Sequence, residues 1–146
     1  MINAIVIAKE HMENIINHSM VDYPREVCGV MAGEITAGKA VIKKVYRGRN
    51  MDGSSVSYRF DPTEQFGIMK EINSLGLKMA AIYHSHPSSP ARPSQTDINR
   101  AFFPGTKEEN FPDVVYVIIG LAGKEPEVNA YIIGKEGVRK INLLAS

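Results

Sequence analysis

A chain of 146 residues, 44% apolar and 23% charged, has the size and composition of a folded globular unit, which excludes intrinsic disorder. Lys plus Arg (17) against Asp plus Glu (16) leaves a net charge of +1, so there is no basic excess to hold a polyanion and bulk nucleic-acid binding is excluded. One cysteine rules out a disulfide framework and a cysteine-cluster zinc site; with four histidines present, any metal would have to be held by His and carboxylate.

Residues 4–7 are β-branched and apolar and predict a first strand. Met12, Ile15, Ile16 and Ser19 recur at helical spacing, which predicts an amphipathic helix over 10–21 that Pro24 ends. Strands are expected at 27–32 and 40–46, joined by a turn at 36–38, and a short strand at 57–60 after the polar loop 47–55. Asp61-Pro62-Thr63-Glu64 is a strong helix start: Asp61 caps, Pro62 suits the first helical position, and Glu64 follows three residues after the cap. Ile68, Met69, Ile72 and Leu75 form the apolar face of that helix and Gly76 ends it. A strand at 78–83, a stiff loop carrying Pro87, Pro90 and Pro93, a short helix from Ser94 to about Phe102, and strands at 114–121, 128–133 and 138–143 complete the chain. The expected architecture is one α/β domain over residues 1–146, a mixed sheet with helices packed against it and an antiparallel meander at its end. No basic lead opens the N-terminus, and the longest apolar run, 114–122, is too short to span a bilayer. The expected setting is therefore the cytoplasm, with no membrane. Exposed strand edges would allow a homodimer.

The chemistry concentrates at the end of the 78–83 strand. Residues two apart on a strand face one side, so His84 and His86 can point at one ion. Seven residues separate His86 from Ser94, and Asp97 falls in the first turn of the helix that Ser94 opens, where a carboxylate is favoured. Two His and one Asp would leave the fourth position of a zinc ion open, as in catalytic sites. An H-x-H pair alone is weak, and Ser94-x-x-Asp97 alone reads as a helix cap; the combination is what is improbable by chance. Proton transfer needs a further group, and the local segment offers no spare Glu. Glu26, at the entrance of the 27–32 strand, is the best candidate, against the plain alternative of a solvated residue after the Pro24 turn.

Glu26 with Cys28-Gly29, His84-Ser85-His86-Pro87, Ser94 and Asp97 together resemble the motif of the JAMM (MPN-plus) metallo-isopeptidases, in the small prokaryotic single-domain form. Asn50 and the run Phe60-Asp61-Pro62-Thr63-Glu64-Gln65 share that resemblance, which covers nearly the whole chain. The resemblance implies a curved, mostly antiparallel sheet flanked by helices, of the cytidine-deaminase-like type. It implies that His84, His86 and Asp97 bind Zn²⁺, that Glu26 hydrogen-bonds the zinc water and acts as general base and then acid, and that Ser94 donates to the developing oxyanion. Its implied substrate is the peptide or isopeptide bond after the Gly-Gly tail of a ubiquitin-like or sulfur-carrier protein. The loop 47–55 and the short strand at 57–60 are expected to offer the edge for such a tail. Only residues 98–112 separate Asp97 from the next strand region, so long substrate-gripping insertions are not expected and a prokaryotic sulfur carrier is the better substrate than a ubiquitin chain.

The competing reading is a non-catalytic MPN-type scaffold, which the intact ligand set with Glu26 disfavours. A zinc nucleobase deaminase would need a P-C-x-x-C pair that one cysteine cannot supply, and no HExxH string occurs. Cys28 reads as a small buried apolar residue, Lys43, Lys44, Arg47 and Arg49 as a solvated strand edge, and His11 and His18 as surface residues.

Overall fold

Seven strands and three helices make up the computed structural model, which describes residues 1–146. In chain order they are β1 (Ala4–Ile7), α1 (Lys9–Val21), β2 (Cys28–Thr36), β3 (Lys39–Arg47), α2 (Pro62–Ser74), β4 (Lys78–His86), α3 (Gln95–Arg100), β5 (Val115–Gly120), β6 (Glu127–Gly134) and β7 (Gly137–Ala145). Each strand and helix expected from the sequence is present except the one at 57–60. There only an isolated bridge between Asn50 and Phe60 forms. The backbone carbonyl of Ser57 and the amide of Arg59 are taken instead by the side chain of Asn50, so no ladder can grow along this segment.

The sheet mixes antiparallel pairs (β2–β3, β2–β4, β5–β6, β6–β7) with parallel ones (β1–β3, β1–β7, β4–β5). It is not an open curved sheet. The strand order β1-β3-β2-β4-β5-β6-β7 closes into a barrel because the short apolar β1 pairs on both sides, Ala4 lying opposite Lys39 of β3 and Asn142 of β7. Closure removes the free strand edges that would have allowed a homodimer to form by edge pairing. No helix is long and apolar enough to cross a membrane.

Alternation along the strands divides the packing. One face carries Ile5, Met31, Ala81, Tyr83, Val115, Val117 and Ile119 and packs on Ile15 of α1, all of them fully buried. The opposite face carries Val30 and Ala32 against Ile72 of α2, and Ile82 and Tyr116 against Ala101 and Ile98 at α3. His84 and His86, in phase with Ile82, therefore open on the α3 side, whereas Tyr83 and Ser85 point to the α1 side. Gly29 is required at this crossing: a Cβ there would run into the Tyr83 ring.

Across the α1 face His18 is not a surface residue. It is half-buried, and its Nδ1 lies 2.7 Å from the hydroxyl of Tyr83. Burial, with the Arg47 charge adding to it and Asp22 opposing, pushes its imidazole down to about 4. At His18 the folded chain thus binds less of a proton than the unfolded one between about pH 4 and pH 6.5, so the contribution of this residue to stability falls as pH drops through that window. Relative to those of His18→Gln, urea midpoints of the wild type are expected to fall as pH drops over this range. Parallel slopes for the two proteins would show that His18 stays charged in the fold.

Candidate metal centre

The register of β2 on β4 builds the site. Cys28 lies opposite His84, and the same antiparallel count places Glu26 opposite His86. Ser85, between the two histidines, locks this arrangement from the other face. Its Oγ accepts from the amide of Val27 at 2.9 Å, and its own amide donates to the Val27 carbonyl at 3.1 Å. Glu26 is thereby drawn in rather than solvated; it is 4% exposed. Its amide donates to the Ser54 carbonyl and its carbonyl accepts from Asn50 Nδ2.

Asp97 arrives from α3. Ser94 caps that helix, its Oγ accepting from the Asp97 amide at 3.0 Å while the Ser94 amide donates to Asp97 Oδ2 at 2.9 Å, a reciprocal capping box. Both readings of Ser94 remain compatible with this contact, because the Oγ lone pair serves the cap and its hydrogen is left over. The same Asp97 Oδ2 lies 3.0 Å from His84 Nε2 and 3.0 Å from His86 Nε2, and the two Nε2 atoms are 3.1 Å apart. Asp97 is held well below the usual carboxylate range; burial works against this, but the hydrogen bonds with His84 and His86 outweigh it.

The loop between β4 and α3 fixes the tautomer of one histidine. His86 Nδ1 donates to the Pro90 carbonyl at 2.8 Å, which turns the Nε2 lone pair toward His84 and Asp97. That loop is itself pinned at Ala91, which is 1% exposed: its carbonyl accepts from the Tyr131 hydroxyl (2.8 Å) and from Asn129 Nδ2 (3.0 Å). It lies so close on β5 that a Cβ at Gly120 would come 2.7 Å from the Ala91 amide nitrogen. Asn129, Tyr131 and Gly120 carry no signal in the sequence, because their role depends on β5 and β6 lying beside β4.

His86 Nε2 and Asp97 Oδ2 are both acceptors, and in contact they repel unless a cation or a proton sits between them. His84 Nε2 completes the group, and all three ligand atoms lie within 4.8 Å of one another. Ligands about 2.0–2.2 Å from a tetrahedral zinc ion stand roughly 3.3 Å apart, close to the spacing found here, and the N₂O donor set suits that ion. The residues present therefore fit a divalent cation. Beside them, Glu26 Oε1 is buried with no partner. Burial pushes the Glu26 carboxyl up to about 7, with His86 pulling it down and Asp97 pushing it further up, so it stands near enough to feel both.

Other sequence expectations resolve simply. Cys28 is buried and free, and burial raises its thiol to about 12, which removes it from nucleophilic chemistry near neutral pH. Lys43, Lys44, Arg47 and Arg49 are exposed.

Residues 8–135 match the family model described as prokaryotic homologs of the JAB domain. The desampylase of Haloferax volcanii is 36% identical over 108 residues, which are 68% of this chain and 73% of that protein. The CysO-cysteine peptidase of Mycobacterium tuberculosis is 30% identical over 115 residues, 79% of this chain and 72% of that one. A probable TtuB-protein conjugate cleaving protease of Thermus thermophilus is 32% identical over 113 residues, 77% and 67% of the two chains. Among solved structures, a protein of Desulfitobacterium hafniense superposes with a TM-score of 0.84 at 31% identity, covering 97% of this chain and 92% of that one.

Proposed function

The chain belongs to the family of prokaryotic homologs of the JAB domain, and from that premise we propose that it is a zinc-dependent peptidase or isopeptidase cutting after the Gly-Gly tail of a ubiquitin-like or sulfur-carrier protein. It is a hydrolase of the class to which its named relatives belong, and those relatives act on small-protein conjugates: a desampylase, a CysO-cysteine peptidase and a TtuB-conjugate protease. The observation that carries the reading is the meeting of His84 Nε2, His86 Nε2 and Asp97 Oδ2 beside a buried carboxylate with an unpartnered oxygen.

In this reading His84, His86 and Asp97 hold the ion. Bound zinc supplies a Lewis acid for the scissile carbonyl and raises the acidity of an adjacent water. Glu26 accepts the proton of the attacking water at Oε1 and returns it to the leaving amine; a carboxyl that burial places at about 7 is suited to both transfers. Ser94 donates its free hydroxyl hydrogen to the oxygen on which negative charge develops, while its lone pair keeps capping α3. No acyl-enzyme is required. Residues 1–146 are read as one catalytic domain, acting in the cytoplasm, where a single free thiol is at home.

The test is to incubate the zinc-loaded chain with the Gly-Gly-ended proteins of its host, each fused or conjugated through its tail, and to weigh the products. Cleavage after the second glycine is expected for one of them. Stoichiometric zinc uptake with every fusion left intact would favour the scaffold reading instead.

A further inference from the structure

Residues 48–60 form neither strand nor helix, yet they flank the metal centre, and one side chain organises them. Asn50 uses all four of its hydrogen-bonding positions. Its amide nitrogen donates to the carbonyls of Glu26 and Ser57, and its oxygen accepts from the amides of Asp52 and Arg59, each at 3.0 Å. The contacts to Ser57 and Arg59 bracket Tyr58. The ring held between them stacks on His84, with centroids 4.6 Å apart and planes 25° from parallel. The far side of this brace is tied to α3, where Arg100 donates to the Tyr58 carbonyl and to Asp52.

The two histidines are steadied differently. His86 has the Pro90 carbonyl on its Nδ1, whereas His84 Nδ1 is buried with no partner. A ring without such a hydrogen bond depends on packing for its plane, and Tyr58 supplies a stacked face. We propose that Asn50 is a positioning residue that adjusts a metal ligand and the proton carrier together: through Tyr58 it sets the plane of His84, and through the Glu26 carbonyl it sets the reach of the Glu26 carboxyl. The inference rests on the metal-centre reading above and assigns Asn50 no contact with substrate or ion.

Cobalt(II), whose visible absorption reports its ligands, separates this role from plain loop support. The metal-free full-length chain is titrated with Co²⁺ as wild type, Asn50→Ala, Asn50→Asp, Tyr58→Ala and Tyr58→Phe, with circular dichroism as the check on folding. Asn50→Ala and Tyr58→Ala are each expected to weaken cobalt binding roughly 10–100-fold and to change its spectrum, the usual cost of losing a group that orients a ligand. Tyr58→Phe keeps the stacked ring and is expected to restore affinity to within about threefold of wild type. Asn50→Asp, nearly isosteric, retains the two acceptor contacts and loses both donors; it carries the test should Asn50→Ala not fold, with affinity again expected to fall about tenfold or more. At saturating metal, kcat of the Asn50 variants is expected to drop with KM little changed. Wild-type cobalt uptake with affinity and spectrum unaltered in folded Asn50 and Tyr58→Ala variants would overturn the inference alone. A wild-type chain that takes up no cobalt would overturn the metal-centre reading and this inference with it.

Discussion

Replacing His84 and His86 together by Ala is expected to abolish binding of one zinc ion per chain and, with it, all measurable hydrolysis. The two nitrogens are two of the three converging atoms proposed to hold the ion, and Asp97 alone leaves a single carboxylate oxygen at the centre. Binding and stability are linked here, because an ion that binds the folded chain and not the unfolded one raises stability by mass action. At free zinc about a hundredfold above Kd the gain is about 2.7 kcal/mol. For a chain of this length that amounts to roughly 5–10 °C in Tm. The wild type is expected to show this zinc-dependent shift and the paired variant to show none, with its own baseline Tm taken without metal so that lost packing at two buried positions is not mistaken for lost metal. Retention of stoichiometric zinc by the double variant would refute the ligand assignment outright.

How much of this centre was legible beforehand depends on how local each part is. His84, His86, Ser94 and Asp97 lie within fourteen residues of sequence, on a strand, a loop and a capped helix start, and such local geometry can be read from spacing and cap chemistry. The helix starts at Asp61 and Ser94 were equally readable, and both side chains do cap. Glu26 can be named from the sequence as a candidate, but its burial cannot be read there, since its place opposite His86 is set by the β2–β4 register, a non-local pairing. The same limit hid the closure of the sheet. A four-residue apolar strand does not announce that it pairs with two partners 35 and 138 residues away in sequence, as Ala4 does with Lys39 and Asn142. The strand expected at 57–60 failed for a different reason. Its composition suits a strand, but a side-chain amide from Asn50 took the backbone groups that a neighbouring strand would have used. The burial of His18 is not visible in the sequence, because a histidine on a helix shows nothing of what the helix packs against, here the hydroxyl of Tyr83.

Glu26→Gln is expected to separate catalysis from folding more sharply than any other single change. Gln has nearly the same shape, and the backbone at this point is held from three sides: by Ser54 on the Glu26 amide, by Asn50 on its carbonyl and by Ser85 on the next amide. Fold and zinc stoichiometry should survive. Hydrolysis should fall by roughly 10²–10⁴ in kcat, because an amide can neither take the proton of water nor return it to the leaving amine. The stability of the metal-free protein should move the other way. Burial raises the Glu26 carboxyl from 4.5 to about 7, so the folded chain holds a proton there that the unfolded chain releases. The stability associated with that proton is full below about pH 4.5 and is lost as pH rises to about 7, where a charged carboxylate must sit in a site 4% exposed. Glu26→Gln has no such loss. At pH 8 the metal-free variant is therefore expected to match or exceed the wild type in stability, by an amount on the order of 1–3 kcal/mol, and the difference should shrink as pH is lowered toward 4.5. An inactive variant that is also destabilised at pH 8 would mean that Glu26 serves the fold. Activity within a few-fold of wild type would mean that the proton is carried by another group. Only a protein at least as stable as wild type, still loaded with zinc and without hydrolysis, fits a carboxylate buried at a cost to stability for the sake of moving a proton.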